Sequence, residues 1–322
     1  MAIDRFFSNF LIQHKNLINN KMNKVLRGIV PPLVTPLLDD NTLDVDGLER
    51  LINHVVAGGV HGVFILGTTG ESQSLGFALR CEMIKQTARI LNKRIPLLVG
   101  ISDTSIADSV ALANVAAECG VDALVSAPPY YYATAQPELI DFYNALIPQL
   151  PLPVFLYNMP THTKVSFAPS TISALAQHAN VIGFKDSSAG GAYFQSVMHE
   201  MRHRNDFALF VGPEEMMAES VMMGAHGGVN GGANMFPKLY VALYNAAVAG
   251  DIATVRQLHA KVMQISAGIY SQGTYGSSYL KGVKAALNIL GICNDHLASP
   301  FCSFGNAEKE HIRKVIAELE LA

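Results

Sequence analysis

Tryptophan is absent from this chain, and charge and cysteine are both scarce. Only 15% of the 322 residues are charged, and 23 basic against 26 acidic side chains leave a formal net charge of −3. That near balance excludes the strong positive field on which a nucleic-acid binder or a membrane-surface protein depends. The four cysteines, Cys81, Cys119, Cys293 and Cys302, show neither CxxC spacing nor the density of a disulfide framework. They read as incidental thiols in a reducing compartment, so a cytoplasmic protein is expected. Long apolar runs are missing too. The run Phe6–Ile12 is broken by Ser8 and Asn9 and is followed by no small-residue cleavage site, so it makes neither a signal peptide nor a membrane span. Residues 1–24 are expected to be a disordered tail, with Met22, just before the first strand, as a candidate start.

Half of the residues are hydrophobic, which is enough for one large core. From Ile29 onward the chain repeats a single pattern: a short apolar run, a polar loop, then an amphipathic stretch. The runs are Ile29–Val34, Gly62–Leu66, Pro96–Ile101, Ala123–Ala127, Val154–Tyr157, Val181–Lys185, Ala208–Val211 and Gly227–Asn230. Their spacing of roughly 20–35 residues leaves room for a crossover helix after each strand. Each is apolar throughout, as parallel strands covered on both faces are. Leu48, Leu51, Ile52, Val55 and Val56 follow the helical period and Gly58 and Gly59 end it. Pro137 with Glu138, and Pro213 with Glu214 and Glu215, sit where helices open.

Eight such units predict an α/β fold, a (β/α)8 TIM barrel, over residues 25–248. A doubly wound sheet fits less well, because no GxGxxG follows the first strand. Asp251–Tyr270, Tyr279–Leu290 and Ala307–Leu321 read as helices, so residues 249–322 are expected to form a helical extension that packs or mediates oligomer contacts.

Reactive groups of a TIM barrel stand where strands end and loops begin. Lys185 ends the apolar run Val181-Ile182-Gly183-Phe184. Desolvation there favours the neutral amine, the form that attacks a ketone to give a Schiff base, although a lysine that merely snorkels to the barrel mouth looks the same in sequence. Tyr157 ends the neighbouring strand and can shuttle protons if its pKa falls from the usual ~10. Thr68 and Thr69, in Gly67-Thr68-Thr69-Gly70-Glu71-Ser72, offer hydroxyls and backbone N–H groups to orient that phenol and hold a carboxylate.

The four strand-end motifs GTTGES, PPYYY, YNMP and GFKDSS, in this order and spacing, resemble the dihydrodipicolinate synthase / N-acetylneuraminate lyase family over nearly all of residues 25–322. The resemblance implies a TIM barrel with a C-terminal helical region, often a homotetramer built as a dimer of dimers. It implies that Lys185 forms the pyruvyl imine, that Tyr157 is the acid/base, and that Thr68 relays protons to it. Thr69 would bind the substrate carboxylate, and Tyr131 would enter a neighbouring subunit's site. Gly212 and Val229 match backbone positions near the imine.

One position departs from the family pattern. The synthases place an arginine five residues after the YN.P tyrosine, and here that residue is His162. Imidazole is mostly neutral at pH 7 and lacks the planar fork that grips a carboxylate. Glu214 and Glu215 partly match a lyase pattern that binds sugar hydroxyls, and Ser187, Ser188, Asn230 and Asn234 suit a polyhydroxylated substrate. The expectation is therefore cleavage of a 2-keto-3-deoxy sugar acid to pyruvate and an aldehyde, with no cofactor, metal, nucleic-acid or membrane partner. The alternatives are dihydrodipicolinate synthase itself, condensing pyruvate with aspartate semialdehyde, and a non-catalytic 2-keto acid sensor.

Other signals carry less. His199-Glu200-Met201-Arg202-His203 spells HExxH, but Phe194, Val197, Met198 and Met201 form the buried stripe, which turns both histidines to solvent. Gly224–Asn234 is glycine-rich but lacks a phosphate-binding lysine, and His61 and His226 lie near strand starts, the stability face of a barrel.

Overall fold

The structure, a computed structural model, describes residues 25–321, so the expected disordered tail lies outside the described residues. Eight parallel strands form one sheet: β1 (Gly28–Ile29), β4 (Val63–Ile65), β5 (Leu97–Gly100), β6 (Ala123–Ser126), β7 (Val154–Asn158), β8 (Val181–Asp186), β9 (Ala208–Val211) and β10 (Gly227–Gly228). The order runs β1-β10-β9-β8-β7-β6-β5-β4. The two ends meet at a parallel bridge between Pro32 and Phe64, where Leu33 N–H donates to the Phe64 carbonyl (2.8 Å) and Phe64 N–H to that of Pro31 (3.0 Å). The expected barrel is therefore present and closed.

All eight expected runs hold a strand, most of them shorter than the run. The first shrinks to Gly28–Ile29, because Pro31 and Pro32 have no N–H to give a ladder. A hairpin of β2 (Leu37–Asp39) and β3 (Thr42–Leu43) was not expected. Its turn is closed by Asp39, whose carboxylate accepts from Asn41 N–H (2.8 Å) and Thr42 Oγ1 (3.1 Å).

Uniformly apolar runs are explained by two cores. Val30, Phe64, Leu98, Ala123, Val125, Phe155, Tyr157, Phe210 and Val229 fill the barrel, while the alternate residues of the same strands pack outward on the helices. Gly183 gives the inner layer its room, since a Cβ there would lie 2.3 Å from the Phe155 ring.

Helix starts follow the sequence signals. Asp44 caps Val45–Ala57 by accepting from Gly47 N–H (2.8 Å), and the Glu138 carboxylate accepts from Ala135 N–H (2.7 Å) at the start of Gln136–Leu146. Pro213 opens only a single 3₁₀ turn, Glu214–Met216, before the helix Met217–Met222. Glu214 turns inward there.

After Gly250, a left-handed cap with φ 70°, the chain forms helices Ile252–Ile265, Ser278–Ile289 and Asn306–Glu318, and Ser266–Tyr270 continues the first as a π turn. Among the described residues no helix is long and apolar enough to cross a membrane.

Candidate active site

Parallel pairing of β7 with β8 sets Tyr157 opposite Lys185, so both side chains enter the barrel mouth. Lys185 is 6% exposed, and its Nζ lies 4.1 Å from the Tyr157 ring centroid and 5.0 Å from that of Phe64. Burial pushes the ammonium below the ordinary lysine range, while the Tyr157 hydroxyl and Asp186 partly offset it. The next residue faces the other way. Asp186 is wholly buried, and burial raises its pKa against the hydrogen bonds it accepts from Asn158 Nδ2 (2.8 Å) and Ser188 Oγ (2.8 Å).

The β4 loop approaches from the opposite wall. It is bracketed by Leu66 (φ 57°) and Glu71 (φ 56°), two non-glycine residues in the left-handed region, a strain typical of functional loops. A fully buried ion pair holds its far end: Glu71 Oε1 lies 2.5 Å from Lys284 Nζ on helix Ser278–Ile289, and Glu71 Oε2 accepts from Ala298 N–H (2.9 Å). The turn thus presents Thr68 and Thr69 side by side. Thr68 Oγ1 is 3.2 Å from Tyr157 OH, and Thr69 Oγ1 is 3.3 Å from Tyr279 OH. Among the described residues neither threonine's N–H finds a backbone acceptor.

One cavity of about 880 Å³ is lined by Lys185, Tyr157, Thr68, Thr69, Gly212, Val229, His162 and Ser187. Eight of the nine site residues read from the sequence therefore converge. Gly212 packs closely there: a Cβ would come within 2.2 Å of Ser187 Oγ, which would have to turn away, and 3.1 Å of the Asp186 carbonyl. His162, on the short helix Pro160–Thr163, is exposed at the rim. Tyr131 does not join its own chain's cavity: it is 70% exposed and stacks edge-on against Tyr132 at 5.0 Å.

The polar residues proposed for sugar hydroxyls need correction. Asn230 and Asn234 are completely buried and do not line the cavity. Asn230 Nδ2 donates to the Gly212 carbonyl (2.9 Å), while Asn234 spans the Val34 N–H and Pro32 carbonyl. Ser188 is taken up by Asp186. Both acids do line the cavity, but Glu214 Oε1 already accepts from Tyr270 OH (2.7 Å) and Glu215 Oε1 from Ser266 Oγ (2.6 Å). Burial raises Glu214 to about 7, with Glu215 adding to the shift and the tyrosine hydrogen bonds opposing it.

Tyr270 and Tyr279 were missed by sequence reasoning, as was the cavity wall they form within the C-terminal helices. No motif marks them. Their contacts span 56 and 210 residues, a separation that local patterns do not report.

The remaining histidines play supporting parts. His61 Nδ1 accepts from Ile29 N–H and His226 Nδ1 from Leu209 N–H, each at 3.1 Å, holding strand starts in place. His199 and His203 are exposed, and their helix Gly191–Glu200 ends between them. Gly224–Asn234 forms β10 and a 3₁₀ turn, and of it only Val229 and Gly231 reach the cavity.

The model of the "Dihydrodipicolinate synthetase family" matches residues 25–319. A 4-hydroxy-tetrahydrodipicolinate synthase of Methanospirillum hungatei is 30% identical over 298 residues, 92% of this chain and 100% of the relative. A "probable 2-dehydro-3-deoxy-D-pentonate aldolase" of Escherichia coli is 32% identical over 260 residues, 80% of this chain and 86% of the relative. Among solved structures, dihydrodipicolinate synthase of Bacteroides thetaiotaomicron has TM-score 0.90 at 65% identity, covering 92% of this chain and 100% of that one. YagE of Escherichia coli, a prophage protein in complex with pyruvate, has TM-score 0.88 at 26% identity, covering 93% and 100%.

Proposed function

This chain belongs to the dihydrodipicolinate synthetase family, and from that premise we propose that it is a lyase that binds 2-keto acids as an imine on Lys185 and cleaves a 2-keto-3-deoxy sugar acid to pyruvate and an aldehyde. The observation that carries this reading is the buried Lys185 amine, set against the Tyr157 ring, with Thr68 on the phenol hydroxyl.

The neutral amine adds to the C2 ketone, and the carbinolamine loses water to give the imine. Tyr157 gives its proton to the departing hydroxyl of the carbinolamine and, as the phenolate, takes the proton of the C4 hydroxyl as the C3–C4 bond breaks. The aldehyde leaves and the bonding pair passes into an enamine. Return of a proton to C3 and hydrolysis of the imine release pyruvate and free Lys185. Thr68 holds the phenol in line, while Thr69 receives the carboxylate beside the two unengaged N–H groups. Gly212, Val229 and Ser187 shape the imine pocket, and His162 meets the distal end. Exposed Tyr131 suits insertion into a second copy of the chain, as a dimer of dimers in the cytoplasm requires.

A second reading is supported by the 65% identical Bacteroides protein, whose description is dihydrodipicolinate synthase. Against it, no arginine lines the cavity among the described residues, so the carboxylate of aspartate semialdehyde would lack a bidentate partner.

The test is borohydride reduction with pyruvate, followed by peptide mass spectrometry and a panel of both substrate classes. We expect an adduct on Lys185 and turnover of sugar acids. Faster turnover of aspartate semialdehyde would select the synthase, and an adduct without any turnover would select the sensor. An unmodified Lys185 in folded protein would remove the nucleophile altogether.

A further inference from the structure

We propose that the phenol of Tyr279, supplied by the C-terminal helical region, is a second anchor for the substrate carboxylate beside Thr69. This rests on the imine reading above.

Two adjacent threonines of one loop each meet a phenol. Thr68 meets Tyr157, which stands against the nucleophile, and Thr69 meets Tyr279 at 3.3 Å. Tyr279 and Thr69 both line the cavity, and the 3.3 Å between their oxygens puts the phenol within reach of a ligand that Thr69 holds. Three features fix it there. Its ring packs edge-on against Tyr270 at 4.8 Å, and Tyr270 OH is tied to Glu214 Oε1 at 2.7 Å. Gly231 leaves the hydroxyl its place, since a Cβ there would stand 1.7 Å from it. The buried pair of Glu71 and Lys284 joins the same helix to the loop that carries Thr69.

The electrostatics require such a donor. Once Lys185 is spent in the imine, no arginine or further lysine lines the cavity among the described residues. The carboxylate must then be held by neutral donors: Thr69, the loop N–H groups and the phenol. Burial, reinforced by Glu214, raises Tyr279 well above the ordinary phenol value, so it keeps its proton and donates throughout the working pH range.

The experiment compares wild type with Tyr279→Phe in the full chain, reading the Lys185 adduct trapped by borohydride against ketone concentration. Two ketones are used: pyruvate, and methyl pyruvate, which lacks the charge. We expect half-saturation by pyruvate to rise about tenfold or more, the lower range for a hydrogen bond to a charged group, with maximal trapping retained. Methyl pyruvate should trap alike in both proteins. An unshifted pyruvate curve, or equal shifts for both ketones, overturns the inference and reduces Tyr279 to packing. Should Tyr279→Phe fail to fold, Gly231→Ala displaces the hydroxyl with the ring retained and must shift pyruvate alone. Absence of an adduct in wild type overturns the imine reading and this inference together. An adduct that forms in both proteins with the same half-saturation by pyruvate overturns this inference alone.

Discussion

Lys185 Nζ lies over the Tyr157 ring, 4.1 Å from its centroid. The hydroxyl of the same residue is 3.2 Å from Thr68 Oγ1. The ring thus helps exclude water from the amine, and the hydroxyl links Thr68 to the cavity that both line. Ring and hydroxyl can therefore be tested apart.

Tyr157→Phe keeps the ring against Lys185 and removes only the hydroxyl. Single-turnover trapping with pyruvate should still label Lys185, more slowly, while steady-state cleavage falls about 10²–10⁴-fold, the usual range for a lost acid/base. Thr68→Val should lower turnover less, because the phenol remains. Undiminished turnover in Tyr157→Phe would show that another group moves the proton.

The pH dependence of imine formation follows from burial of Lys185. Its folded pKa lies below that of an exposed lysine, so the attacking neutral amine should appear at lower pH. The initial trapping rate should rise with pH and level off below 10.5, the ordinary lysine value. A rate still climbing through that value would contradict the burial.

Glu214 couples stability to pH. Its folded value of about 7 lies above the ordinary 4.5, so the folded state binds more protons between them. Stability from this group is present below 4.5 and is lost as pH rises through about 7. The whole effect is about 3 kcal/mol. Glu214→Gln should flatten the melting temperature between these limits, as read by calorimetry. An unchanged pH slope would place the charge elsewhere.

The Glu71 and Lys284 pair should matter to folding. Lys284→Met leaves a carboxylate buried without its cation and should cost about 3–5 kcal/mol in denaturant melts. Glu71→Gln combined with Lys284→Met should recover part of that loss. If the single variant melts like wild type, the loop is held by its other contacts.

Much of the site was legible because its chemistry is local to strand ends. An apolar run ending in lysine, a tyrosine on the neighbouring run and a glycine–threonine turn are short patterns, and parallel register then brings them together. His162 was readable as a departure for the same reason. Other readings failed where burial decides. Asn230 and Asn234 are polar residues in a glycine-rich stretch, and nothing in their spacing says that they brace backbone and not substrate. The hairpin at Leu37–Leu43 escaped notice because its strands are two or three residues long and carry no alternation.

By itself, then, the order of residues determined the barrel and the placing of Lys185 beside Tyr157 at the ends of neighbouring strands, since periodicity and strand-end position are properties of neighbouring residues. Tertiary structure alone decided the far wall of the pocket. Thr69 meets Tyr279 across 210 residues, and Lys284 reaches Glu71 from a helix beyond the barrel. Such pairs form only when packing buries both partners in one place, and a single buried polar contact, unlike an apolar face, leaves no periodic trace in the sequence.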